Sequence, residues 1–253
     1  MQSESGFGDL TAVVTGAGGG MGLNVARDLL DEGARVFMAD LKPNPDGFDE
    51  HVERAAFHQG DVTDDDFVLD LMQEAFNTTG RLDLLVNAAG VLWFTRDGSL
   101  ADIDLKVWDQ VLDINLKSVV HTVRHAVPLM KKSGGGAMVH VSSTQCLRGD
   151  RRPQDAYQAS KAAVIALSRS IAIQFAADGI RSNVLVPGPT ESPMQTRWRS
   201  DPKLKKKTAA AVPLGRVGTT QNMSDAILFL LSNRASYITG TELVVDGGLL
   251  ALP

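Results

Sequence analysis

The sequence predicts an α/β fold: a doubly wound, seven-stranded parallel sheet with helices on both faces. Three observations carry this. Short apolar runs alternate with longer amphipathic ones, the runs are near-continuously apolar, and a glycine-rich string directly follows the first of them. Seven runs read as strands: 11–15, 35–39, 55–59, 82–87, 137–142, 181–186 and 241–246. Each is bounded by turn residues or by a helical pattern. The first helix is expected from Met21 to Glu32, ended by Gly33. The next is expected to be capped by Thr63 and to run to Asn77, stopping near Gly80. A helix from about Ala156 to Ala177 is apolar nearly all round, whereas packing on one sheet needs only one apolar face. A homo-oligomer is therefore expected.

Composition narrows the function classes. The 253 residues, 43% hydrophobic and 22% charged, suffice for one domain over 1–253 with a large core. A net charge of −5 argues against general nucleic-acid binding. The single cysteine, Cys146, leaves no intrachain disulfide and fits a reducing compartment. The opening "MQSESGFGDL" has neither a basic region nor an apolar core, and no apolar run reaches spanning length, so a cytoplasmic location without membrane association is expected. The five histidines show no metal-ligand spacing, and no metal is expected. His58 and His140 fall in expected strands and read as core or edge histidines. Trp93 and Phe94 could line a substrate cleft or simply pack.

Two stretches carry chemistry. "TGAGGGMG", Thr15 to Gly22, lies between a strand and a helix, where glycines let backbone approach a pyrophosphate and the helix terminus offers free amides. Asp40 ends the next strand, where a carboxylate can accept both ribose hydroxyls of NAD and repel the 2′-phosphate of NADP. The second stretch is "DAYQASKAAV", which sets Tyr157 and Lys161 at i and i+4 of one helix, about 5–6 Å apart at Cβ. A cation there favours phenolate over phenol, although Y-x-x-x-K also arises as a solvated surface pair.

Together these motifs resemble the short-chain dehydrogenase/reductase family over essentially the whole chain. "TGAGGGMG" fits its T-G-x-x-x-G-x-G pattern and "YQASK" its Y-x-x-x-K, while "NAAG", Asn87–Gly90, is similar to its N-N-A-G with Ala88 as a departure. The resemblance implies a single-domain Rossmann fold and a tetrad of Asn115, Ser143, Tyr157 and Lys161. Ser142 is the minor alternative for the serine, because the interval from Ser143 to Tyr157 is slightly longer than the family's. It further implies NAD contacts from Gly16, Gly20, Met21 and Gly22, from Asp40, Asp61 and Val62, and from Asn87, Ala88 and Gly90. Tyr157 and Lys161 join Pro187, Gly188 and Thr190 on the nicotinamide side, and a tetramer is implied as the assembly.

A phenolate at neutral pH requires the tyrosine pKa to fall by about 3 from its ordinary value near 10, worth about 4 kcal/mol. Lys161 and the positive ring of the oxidised cofactor are the expected sources. The expected function is NAD-dependent hydride transfer between a secondary alcohol or ketone and the cofactor. An NADPH-dependent 3-oxoacyl-thioester reductase is the alternative, favoured mildly by Lys42 and opposed by Asp40. A cofactor-binding protein without turnover fits less well, since all four tetrad positions are filled. A substrate-covering segment is expected at about 190–215. Within it "RWRSDPKLKKK", Arg197–Lys207, sets six bases against one acid, with Arg148, Arg151 and Arg152 in the other substrate loop. A basic lid would attract an anionic substrate; a solvated lysine-rich face is the alternative.

Overall fold

The computed structural model describes residues 6–45, 51 and 53–253. Seven parallel strands form one sheet: β1 (Thr11–Thr15), β2 (Arg35–Asp40), β3 (Ala55–Gln59), β4 (Leu84–Asn87), β5 (Gly136–Val141), β6 (Ile180–Pro187) and β7 (Glu242–Val245). Their spatial order is β3-β2-β1-β4-β5-β6-β7. Alternation divides the strands between two apolar layers. Ala12, Val14, Val36 and Met38 pack on one side with α1 (Gly20–Asp31) and α8 (Thr220–Leu231). Val13, Phe37 and Leu85 pack on the other with α2 (Asp65–Thr79) and α4 (Ser118–Ser133), to which α5 (Asp155–Gln174) adds Ile171. Both faces of the sheet are thus buried, which is why its strands read as continuous apolar runs.

The chain order reverses between β1 and β4, and in open parallel sheets a crevice opens outside the strand ends at such a point. Here the two strands run into the two glycine-containing turns. Ala89 N donates to Thr15 Oγ1 at 3.4 Å, and a Cβ on Gly16 would lie 2.6 Å from Ala89 N. With Gly16 at φ 73°, only glycine fits that approach.

Several expected boundaries shift: α5 ends at Gln174 rather than Ala177, and two starts differ for a visible reason. Asp64, not Thr63, caps α2, its carboxylate accepting from Asp66 N and Phe67 N. Thr63 is held instead by Asp61 Oδ1, which accepts from both its backbone and its hydroxyl at 2.9 Å. β4 starts at Leu84 rather than 82, because the Asp83 carboxylate accepts from Thr11 N and pairs with Arg81 before the ladder begins.

α3 (Leu105–Leu112) passes through a π-helical turn, Asp113–Lys117, into α4. Within 190–215 the chain forms α6 (Thr196–Ser200) and α7 (Pro202–Ala211), the latter capped by Asp201. This segment's flanks are pinned: Glu191 N donates to Gly218 O, Gly218 N to Pro189 O, and Leu214 N to Gly247 O. Among the described residues, no helix is long and apolar enough to cross a membrane.

Candidate active site

A cavity of about 950 Å³ opens at the strand ends between the glycine turn and the helices α6 and α7. The glycine turn forms its floor at one end. Gly19 is the N-cap of α1 and no side chain caps that helix, so its first amides are left for something else. A Cβ on Gly22 would lie 2.3 Å from Gly16 O, and one on Gly18 would lie 2.7 Å from Asp40 Cγ. The turn is therefore folded tightly on itself, and its open side, with Gly16, Gly20, Met21 and Gly22, faces the cavity. This cradle fits the pyrophosphate of a dinucleotide.

Asp40 stands beside the turn. Its Oδ2 accepts from Gly18 N and its Oδ1 from Lys42 N, each at 2.9 Å. A carboxylate offers about four acceptor positions. One therefore stays open on each oxygen, which suits a pair of vicinal hydroxyls. Asp61 and Val62 line the same end, with Lys42 beside them.

The other end carries the tyrosine. Tyr157 is 6% exposed and lies in the first turns of α5, with its phenol hydrogen-bonded to Ser143. Lys161, one turn on, is also buried; its Nζ donates to Val141 O at 2.9 Å and lies 5.9 Å from the Tyr157 ring centroid. The two serines differ sharply. Ser142 Oγ donates to Lys161 O at 2.8 Å, tying α5 to β5, whereas Ser143 meets the phenol. This geometry favours Ser143 as the substrate-facing hydroxyl.

The expected direction of the tyrosine shift is not met in the chain alone. Burial pushes the Tyr157 phenol up to about 12, against the Ser143 hydrogen bond, which favours phenolate. Burial also pulls the Lys161 ammonium down to about 8. Lys161 spends a proton on Val141 O and is itself drawn toward neutrality, so it does not supply the whole shift.

Asn115 is fully buried in the π-helical turn. Its Oδ1 accepts from Val91 N at 2.7 Å, and its Nδ2 donates to Val91 O and Ser160 Oγ. A Cβ on Gly90 would lie 3.2 Å from both Asn115 Oδ1 and Lys161 Nζ, so these two groups converge where the backbone has no side chain. Ala88, Gly90, Pro187, Gly188 and Thr190 line the cavity with Ser143, Tyr157 and Lys161.

Asn87 does not line it. Its side chain lies in the core, accepting from Thr122 Oγ1 at 2.9 Å and meeting His140 Nδ1 at 3.0 Å. His140 continues to Ser182, and burial brings its pKa down to about 4, so this row is held by a neutral imidazole. His140 is thus a satisfied core histidine, and His58 lies on the edge strand β3.

Sequence reasoning missed Asp97. This buried carboxylate accepts from Tyr157 N at 2.9 Å and Ala156 N at 3.3 Å, capping the N-terminus of α5 where the N-cap residue Gln154 does not. It thereby fixes the turn that presents the phenol. No local pattern announces a cap donated from 60 residues away.

Comparison with known proteins bears on the family and the fold. The family model described as enoyl-(acyl carrier protein) reductase matches residues 16–250. A cis-4-hydroxycyclohexanecarboxylate dehydrogenase of Sinomonas cyclohexanicum is 36% identical over 250 residues, 97% of this chain and 98% of that one. A 3-oxoacyl-acyl-carrier-protein reductase, FabG, of Thermotoga maritima is 35% identical over 94% of this chain and 96% of its own. Among solved structures, a Burkholderia xenovorans protein described as a short-chain dehydrogenase/reductase superposes with a TM-score of 0.90 at 32% identity, covering 98% of each chain. A seven-stranded parallel sheet, a glycine turn against β4 and a match of this extent together place the chain in the short-chain dehydrogenase/reductase family of oxidoreductases.

Proposed function

We propose that this chain is an NAD-dependent oxidoreductase acting on a secondary alcohol or its ketone, with Tyr157 as the acid/base. One observation carries the reading: a buried phenol, hydrogen-bonded to Ser143 and one helical turn from Lys161, shares a cavity with an uncapped glycine turn. Once bound, the nicotinamide supplies the hydride acceptor for an alcohol or the donor for a ketone. Tyr157 takes the proton from the alcohol oxygen, or returns it to the ketone oxygen. Ser143 donates to that same oxygen and steadies its developing charge. Lys161 holds the nicotinamide ribose, and Thr190 with Pro187 and Gly188 holds the nicotinamide side. Asn115 locks the Val91 backbone beside Lys161, and Asn87 supports the turn from the core. Gly16, Gly20, Met21 and Gly22 cradle the pyrophosphate, Asp61 and Val62 flank the adenine, and Ala88 and Gly90 give the backbone room.

The first test is to follow the near-ultraviolet absorbance of NADH over a panel of secondary alcohols. Ser143→Ala should then lower kcat by on the order of 10²-fold or more, as loss of an oxyanion-type donor does. Ser142→Ala should cost stability more than catalysis, since it removes a bond to backbone. The reverse order of kcat effects would move the role to Ser142.

A second reading, NADPH-dependent reduction of a 3-oxoacyl thioester, is favoured by one feature. A Cβ on Gly19 would lie 3.9 Å from Lys42 Nζ, so a cation stands over the turn.

The reading includes a single catalytic domain over 1–253, covered at about 190–215, in a cytoplasmic homotetramer. Support for assembly comes from α5, whose outer face leaves Ala159, Ala162, Ala166 and Ile173 exposed, Ile173 at 81%. Light scattering at micromolar concentration should give about four times the chain mass. A monomer would contradict the assembly.

A further inference from the structure

We infer that the outer end of the cavity is an anion subsite in which Arg152 and Arg197 hold a carboxylate carried by the substrate. The inference rests on the alcohol/ketone reading above and specifies the substrate class: a secondary alcohol or ketone with a compact apolar body and a carboxylate remote from the reacting carbon.

The basic run 197–207 does not act as one lid. Lys205 pairs with Glu191, while Arg199, Lys203 and Lys206 do not line the cavity. Arg197 and Lys207 do line it, and from the opposite loop Arg148 and Arg152 join them, whereas Arg151 does not. The expected surface charge is thus sorted into a solvated part and a part aimed inward.

The inward part is held in place. The Arg197 guanidinium lies 4.0 Å from the centroid of the Phe94 ring, and its Nε donates to Gln195 Oε1 at 3.4 Å. Stacking on a ring fixes a guanidinium plane while leaving its outer N–H groups free. Arg96 is stacked similarly on Trp93 but donates to Gln110, so it is committed within the chain. Among the described residues, the Arg152 guanidinium makes no hydrogen bond or ion pair; its backbone N–H donates to Asp150 Oδ1.

Two like charges therefore line the same end of the cavity, one exposed and one half-buried, with Asp150 lining it too. Burial lowers the Arg197 pKa, the nearby Arg152 charge lowers it further, and Asp150 opposes the effect. A bound carboxylate would relieve this repulsion and accept paired N–H groups from a guanidinium. Trp93, Phe94, Met194 and Leu204 form the adjoining wall and suit an apolar body.

The test uses cyclohexanecarboxylate and its uncharged carboxamide as probes, titrated by calorimetry into the protein with and without NADH. The carboxylate should bind at least about tenfold more tightly at low salt, and the advantage should shrink as ionic strength rises about tenfold. Arg152→Ala and Arg197→Gln should each remove most of the advantage and leave carboxamide affinity nearly unchanged. Arg152 is exposed, so its variant should unfold at the wild-type temperature and give a clean reading. Equal affinity for the two probes, no measurable carboxylate binding, or an advantage that survives both substitutions overturns the subsite. Turnover of neutral alcohols without carboxylate preference sinks the subsite and leaves the reaction class standing. Carboxylate selectivity with no turnover of any alcohol does the reverse.

Discussion

Replacing Tyr157 by phenylalanine should lower kcat by on the order of 10²–10⁴-fold, the range supplied by a positioned acid/base, while NAD binding changes little. The ring stays packed against Val107, Val111 and Ala156, so only the hydroxyl and its bond to Ser143 are lost. Stability should change by only about 1 kcal/mol. Steady-state kinetics with calorimetric NAD titration separates the two effects. A variant with near-wild-type kcat would remove Tyr157 from the chemistry.

The ionisation of this tyrosine gives a second reading of the same centre. Burial raises the phenol pKa to about 12 in the chain alone, so below that pH Tyr157 stays protonated. A group raised in this way favours its neutral form, and rising pH must work against burial to charge it. The chain has two tyrosines, so a Tyr237→Phe background isolates Tyr157. The tyrosinate absorbance should then rise only well above pH 10 without cofactor, and at distinctly lower pH with NAD added. An unchanged titration with NAD would mean the phenolate is not the working base.

Changing Asp40 should alter cofactor choice, and the structure says which change is informative. Asp40→Ala removes the repelling charge but also frees Gly18 N and Lys42 N, loosening the turn. Both cofactors should bind more weakly. Asp40→Asn keeps an oxygen for Gly18 N and removes the charge, so kcat/KM for NADP should rise against that for NAD by about tenfold or more. That corresponds to the 1.5–3 kcal/mol of hydrogen bonds to a charged group, at about 1.4 kcal/mol per decade. A wild-type preference for NADP would overturn the NAD reading and favour Lys42 as a phosphate partner.

Local pattern made the sheet and the glycine turn legible. The strands announced themselves as apolar runs because both faces of the sheet are covered, and the turn because strand, glycines and helix are contiguous. Tyr157 and Lys161 were legible because one helical face joins them. What escaped the sequence is non-local. Asp97 caps α5 from a distant loop, and Asn115 is bound to Val91 through a π-helical turn with no sequence signature. Asn87 sits in a motif that reads as cofactor contact, yet its amide is taken by Thr122 and His140, neighbours that only the fold supplies. The fold divides the basic run in a way its length does not show: Arg197 on α6 and Lys207 on α7 line the cavity, whereas Lys203 and Lys206 do not. The tyrosine shift went the other way because burial, invisible in a motif, outweighs the Ser143 hydrogen bond that favours phenolate.

Hydride transfer from a carbinol carbon in this cavity leaves a trace that isotope labelling reads without ambiguity. With the best alcohol of the panel, deuterium at the carbinol carbon should appear in the reduced nicotinamide by mass spectrometry. Absence of reduced cofactor from every alcohol, and of NADH or NADPH oxidation by every ketone, in protein that still binds the cofactor would contradict it.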